Sequence, residues 1–318
     1  MLQRRSKHRN IGVCHIYMTD TMAKTRIQIA RSDIVRLFQE SPQKIFRFGE
    51  VAAILQNHRE FWRLTQSMST NQFLAYLLES TELRRVDIPY STRTETRYVW
   101  GEVPLLEVIL DLNPTAYLSH YGAVRIHGLT EQLPKTLYVN VEQPQRVANT
   151  GLTQKGIDFA FRQKPRVSNN YAVLGDYRVY QLHGKDSGRL GVVEAQTLDI
   201  AASQPANVRV TSLERTLIDI TVRPVYAGGP QEVLNAYRYA ADRVSINRLV
   251  AMLKRLNYTY PYHQSVGYYL EKSGAYRESS IQLVREIPRE FDFYLTYQMS
   301  EKTYLESWRL WVPKGMDL

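Results

Sequence analysis

Residues 69–100 read STNQFLAYLLESTELRRVDIPYSTRTETRYVW, and the fold of the front of the chain turns on how this stretch divides. Ser69 can cap a helix with its side-chain oxygen, which places Phe73, Leu74, Leu77 and Leu78 on one face of Thr70–Leu78. Thr70, Asn71, Gln72 and Tyr76 are left on the outer side. Two segments of alternating polarity follow, Leu83–Pro89 and Thr96–Trp100, around a turn at Tyr90–Glu95. Upstream, Ser32 starts a helix to about Glu40 with Ile34, Leu37 and Phe38 inward, and Ser41–Pro42 stops it. A second helix fits Phe48–Gln56, with Val51, Ile54 and Leu55 on its apolar side.

Three helices followed by a hairpin is the order of a winged helix-turn-helix, and this predicts a reader of double-stranded DNA. The first turn of a recognition helix lies in the major groove, where Asn and Gln can pair with adenine. Ser69, Thr70, Asn71, Gln72 and Tyr76 are therefore candidate base-side contacts. Arg84, Arg85, Arg93 and Arg97 on the hairpin, with Lys44 and Arg47 ahead of the second helix, are candidate phosphate contacts. Charge agrees: residues 1–100 hold 16 Lys+Arg and 9 Asp+Glu, a net of 16 − 9 = +7, whereas the whole chain carries 41 − 31 = +10.

The expected domains are a basic N-terminal tail over residues 1–30, a winged helix over 31–101, and an α+β domain over 102–318. The tail carries Arg4, Arg5, Lys7 and Arg9 and has no signal-peptide core. Beyond Gly101–Pro104, helices are expected at Leu105–Leu112 and Tyr117–His127, and a strand at Lys135–Val141. Short strands are expected near Tyr171–Val173, Arg178–Gln181, Leu190–Val193 and Val208–Val210. Thr211 and Glu214 have capping-box spacing for a helix to about Thr221, on which Arg215 and Asp219 can pair four residues apart. Gly228-Gly229-Pro230 opens a helix over Gln231–Asp242, Ser245 caps another to Leu256, and Phe291–Val312 reads as β.

A chain of 318 residues, 44% hydrophobic and 23% charged, suggests two folded domains. Cys14 alone excludes an intrachain disulfide and an all-cysteine metal site, and with the basic balance it favours a cytoplasmic address. No apolar run approaches a membrane span. The chain has no Gly-rich phosphate loop and no His-Glu-x-x-His, and its seven histidines are dispersed, so neither an enzyme nor a cofactor is expected. Glu214, Asp219 and Lys185 could be assembled into a metal nuclease site, but their spacing does not require it. The many tyrosines between Tyr226 and Tyr304 suit a half-buried surface.

Tyr117-Leu118-Ser119-His120-Tyr121-Gly122-Ala123-Val124-Arg125-Ile126-His127-Gly128-Leu129 resembles the helix that opens the C-terminal domain of AbiEi-type antitoxins. Val210-Thr211-Ser212-Leu213-Glu214-Arg215-Thr216-Leu217-Ile218-Asp219 resembles a second block of that family, and the likeness covers roughly Asp33–Leu256. It implies a bacterial antitoxin and transcriptional autorepressor of a type IV toxin–antitoxin system linked to abortive infection by phage. The implied partners are an inverted-repeat operator in its own promoter, bound as a dimer or cooperatively, and a nucleotidyltransferase-like toxin. Ser119, Ala123, Thr211, Glu214, Arg215, Thr216 and Asp219 would be the antitoxin-domain positions. A winged-helix transcription factor with a ligand- or partner-sensing C-terminal domain is the alternative.

Overall fold

The computed structural model describes residues 24–91, 93–144, 151–200 and 204–316. The basic residues Arg4–Arg9, Cys14 and most of the expected tail lie outside them. The chain then runs α1 (Arg26–Ile29), α2 (Arg31–Glu40), β1 (Ile45–Phe46), α3 (Phe48–His58), α4 (Thr70–Ser80), β2 (Leu83–Pro89) and β3 (Thr94–Trp100). It continues with α5 (Leu105–Asp111), β4 (Tyr117–Ser119), α6 (His120–Ile126), β5 (Thr136–Gln143), α7 (Gln154–Arg162), β6 (Tyr171–Leu174), β7 (Tyr177–Lys185), β8 (Val192–Leu198) and β9 (Pro205–Thr211). The last part holds α8 (Leu213–Val222), α9 (Pro230–Ala240), α10 (Ile246–Leu256), α11 (Tyr262–Ser273), α12 (Glu278–Arg285), β10 (Phe293–Tyr294), β11 (Lys302–Leu305) and β12 (Leu310–Pro313). The architecture is α+β, and no helix among the described residues is long and apolar enough to cross a membrane.

Packing divides the chain into two compact units. Among the described residues, one comprises Lys24–Pro42 with Val51–Thr81; the other comprises Gln43–Glu50 with those from Glu82 onward. In the first, the 3.6-residue spacing of Ile34 and Phe38 in α2, Val51 and Leu55 in α3, and Phe73 and Leu77 in α4 buries all six side chains. Trp62 stacks on Phe73 at 5.7 Å and on His58 at 5.1 Å, so the connector before α4 is part of this core. The helical turn α1 lies inside the segment expected as tail. Thr25 and Gln28 form a reciprocal capping box that satisfies its first donors.

The second unit departs from the expected boundary at Gly101. Its hairpin β2–β3 pairs from Leu83↔Trp100 to Pro89↔Thr94, and β1 adds to the other edge of β3. Ile88 and Val99 belong to the same apolar cluster as Leu106, Leu118, Ala172 and Val208, and Tyr90 bridges to Ala172 of β6. The hairpin is therefore anchored in the larger body. That body holds a six-stranded sheet in the order β6-β7-β5-β4-β9-β8, in which β5–β7 and β4–β9 are parallel. A second apolar cluster gathers Leu217 and Ile218 of α8, Tyr237 of α9, Leu249 of α10, and Tyr268 and Tyr269 of α11. Trp308 closes this cluster against Gly267, where an added Cβ would fall 2.1 Å from the indole, so α11 needs glycine there.

Two sequence expectations are corrected by local geometry. Tyr117–Ser119 is strand and not helix, because Leu118 pairs with Val139 on one side and Val210 on the other. Arg97, expected on phosphate, is turned inward and 4% exposed. Its Nε donates to Asp111 Oδ2 at 2.6 Å, and its other nitrogens reach the carbonyls of Thr96, Asp111 and Leu112. A guanidinium so enclosed and fully paired has no donor to offer DNA. Arg97→Ala leaves Asp111 without its partner and should lower unfolding free energy by about 2–4 kcal/mol. Arg85→Ala, at an exposed pair with Asp87, should leave the unfolding free energy essentially unchanged; urea denaturation of the two variants separates them.

Candidate functional site

The first turn of α4 is a polar, solvent-facing surface. Ser69, Asn71 and Gln72 are exposed and Thr70 is half-buried, while Phe73 and Leu77 on the opposite side are fully buried. Ser69 Oγ accepts from Gln72 N at 3.2 Å, and Gln72 Oε1 accepts from Ser69 N at 2.9 Å. This capping box occupies the amide oxygen of Gln72, so that side chain cannot offer the donor–acceptor fork that reads adenine. Asn71 makes no such bond and keeps both groups. Tyr76 is half-buried with its hydroxyl enclosed and without a hydrogen-bond partner, and burial pushes that hydroxyl's pKa up. It is not an outward contact.

Of the remaining expected phosphate contacts, the four arginines are exposed but already engaged. Arg84 donates to Gly101 O at 2.6 Å, Arg85 pairs with Asp87 at 3.0 Å, and Arg93 pairs with Glu95 at 2.8 Å while lying over the Tyr90 ring. Arg47 reaches Asp111 O at 3.4 Å, and Lys44 is half-buried with its carbonyl accepting from Trp100 N. Exposed pairs of this kind are weak and exchange readily.

The seven antitoxin-domain positions behave differently. All are buried, and β4, β9, α6 and α8 bring them together. Ser212, and not Thr211, caps α8, its side chain accepting from Arg215 N. Thr211 Oγ1 instead bonds Thr216 Oγ1 at 2.8 Å, and the Thr211 carbonyl receives His127 Nε2 at 2.6 Å. Ala123 packs without side-chain bulk in the cluster of Leu118 and Leu137. Glu214 accepts from Ser245 N and pairs with Arg248 at 2.9 Å, tying α8 to the start of α10. Arg215 Nε pairs with Asp219 at 2.7 Å, and its Nη1 donates to Leu190 O and Ser187 Oγ.

Ser187 carries this network further. It donates to Glu142, which also accepts from Ser187 N, Arg189 N and the Tyr117 hydroxyl. Burial acts to raise the Glu142 pKa, but these four donors outweigh it and hold the carboxyl below its usual range. Asn140 donates to the Tyr117 hydroxyl, completing a polar chain from β5 through β4 to α8.

Beside this chain lies a cavity of about 520 Å³, lined by His120, Arg215 and Asp219, by Arg166, Lys185 and Arg223, and by several tyrosine rings. His120 holds a left-handed backbone, φ 49°, at the junction of β4 and α6, with Nδ1 2.9 Å from Ser119 Oγ. Burial lowers its pKa to about 4; Arg215 and Arg223 push the same way, and Asp219 opposes them. The three residues of the nuclease alternative do not converge. Glu214 faces α10 away from the cavity, Asp219 is held by Arg215, and Lys185 Nζ donates to the carbonyls of Leu256 and Asn257. Among the described residues no group of three or more His, Cys, Asp or Glu is placed to hold a metal ion. Sequence reading missed Arg166, Arg223 and Tyr258 as cavity residues. The one available signal was the spacing of Arg215, Asp219 and Arg223, which four-residue steps place on one helical face.

The fold is similar to that of the RV2827C protein from Mycobacterium tuberculosis, with a TM-score of 0.56 and 14% identity over 89% of this chain and 90% of that one. No protein-family model and no curated protein matches the sequence.

The buried imidazole gives a pH dependence with a definite sign. A histidine whose pKa is depressed in the folded state is protonated first in the unfolded chain, so folding is favoured above about 6.5 and weakened as pH falls toward about 4. His263, also lowered by burial to about 4, adds to the slope. His120→Asn, which tolerates the left-handed backbone, should make the loss of stability between these pH values shallower by up to about 1.4 kcal/mol per pH unit; denaturation curves across that range test it.

Proposed function

We propose that the chain is a DNA-binding transcriptional repressor of the AbiEi antitoxin kind. Its N-terminal helices and hairpin act as a winged helix-turn-helix on an inverted-repeat operator. Its larger part counteracts a nucleotidyltransferase-like toxin in the bacterial cytoplasm. The observation that carries DNA binding is the start of α4: exposed Ser69 and Asn71 beside half-buried Thr70, on a helix whose other face is locked by Phe73 and Leu77. Short polar side chains on a rigid helix N-terminus suit base edges, and the helix dipole favours the neighbouring phosphates. Arg84, Arg85 and Arg93 supply exchangeable positive charge. The antitoxin reading is supported by the two resembling blocks, which meet where Leu118 pairs with Val210 and His127 bonds Thr211.

Asn71→Ala should lower the preference for particular base pairs in an operator footprint by about 1–3 kcal/mol per lost bidentate pair. Gln72→Ala should leave base preference unchanged and weaken the start of α4 by about 1 kcal/mol. The same footprint with both variants would move the DNA surface elsewhere. For the antitoxin role, expression of the adjacent gene alone should arrest growth, and co-expression of this chain should restore it. A harmless neighbour defeats that role and leaves DNA binding standing.

A further inference from the structure

The geometry points to the cavity beside α8 as a binding site for a small organic anion that joins a phosphate to a planar ring, the class of a nucleoside monophosphate. Three observations carry this. First, the wall holds Arg166 and Arg223, whose guanidinium groups make no hydrogen bond or ion pair among the described residues. Arg223 is half-buried, so its charge sits partly desolvated without a carboxylate. Arg215 and Asp219 neutralise one another, and Lys185 is held on two carbonyls that leave its charge in place. The lining therefore has an excess of positive charge in forks that fit phosphate oxygens.

Second, Tyr262 is 7% exposed and lines the cavity, yet its hydroxyl bonds to nothing among the described residues; neither does that of Tyr258. Tyr258 is half-buried, and both hydroxyls open onto the cavity, where each can donate to an entering group. Third, Tyr226, Tyr260 and Tyr297 line the same space, and aromatic side chains stack on a base regardless of its sequence. The volume, about 520 Å³, is within the range of small-molecule sites. A neutral His120 leaves Nε2 outside the network that holds Nδ1. The site gives a ligand-sensing role for the larger unit its chemistry, and it stands whether or not the N-terminal helices bind DNA.

Isothermal titration of the purified full chain with AMP, UMP, adenosine and inorganic phosphate tests it at low ionic strength. AMP and UMP should bind at least tenfold more tightly than adenosine or phosphate. Arg166→Gln with Arg223→Gln should weaken AMP by tenfold or more, and Tyr260→Ala should weaken AMP while sparing phosphate. Arg166→Gln alone, at an exposed position, should retain the wild-type melting curve and still weaken AMP several-fold. Absence of binding by either nucleotide overturns the site; so does an AMP affinity equal in wild type and in Arg166→Gln. Phosphate binding as tightly as AMP overturns the ring-bearing class. The operator footprint of the same variants is read separately, so loss of nucleotide binding with an intact footprint assigns the two sites to different parts of the chain.

Discussion

The buried ion pair of Arg215 and Asp219 is the constraint around which the larger unit is arranged. A guanidinium removed from water is tolerated only if nearly all its donors are satisfied. Asp219, one turn along α8, provides the charge; Ser187 and Leu190 provide oxygens from the loop before β8. The loop can approach that closely because Gly191 has no side chain: an added Cβ would fall 2.9 Å from Arg215 Cβ. Ser187 in turn binds Glu142, and Glu142 holds Tyr117. One charge thus fixes the relative positions of α8, β4, β5 and a loop that has little apolar surface of its own.

This arrangement also shapes the cavity. The register that points Arg215 and Asp219 at the loop places Arg223, at the end of α8, on the same side. The Arg215–Asp219 pair contributes no net charge, so the character of the space is set by the groups around it. Polar networks that are fully satisfied rigidify their surroundings, and a rigid wall preserves the spacing of the groups that remain unpaired.

The element order of the front third was legible because its signals are local: cap residues, 3.6-residue apolar spacing and a turn flanked by alternating strands. Even there Thr25 and Gln28 form a capping box whose spacing stands in the sequence inside the segment read as tail. Partners distant in sequence were not legible. Arg97 has the composition of a wing arginine, and only its meeting with Asp111 turns it inward. Tyr117–Ser119 has the apolar content of a helix start, and only the flanking strands make it β. The resembling blocks located Arg215 and Asp219, but Arg166 and the tyrosines reach the cavity from segments that share no motif with them.

The position of β4 in the sheet has a bearing on how the chain acquires its shape. This three-residue strand lies between β5, some twenty residues ahead, and β9, about ninety residues ahead, with Leu118 meeting Val210. Closing so long a span loses chain entropy before any contact rewards it. During synthesis, the hydrogen-bonding edge of β4 waits until β9 has left the ribosome. Over that interval the nascent polypeptide exposes an apolar, unpaired border, the kind of surface on which chaperones act.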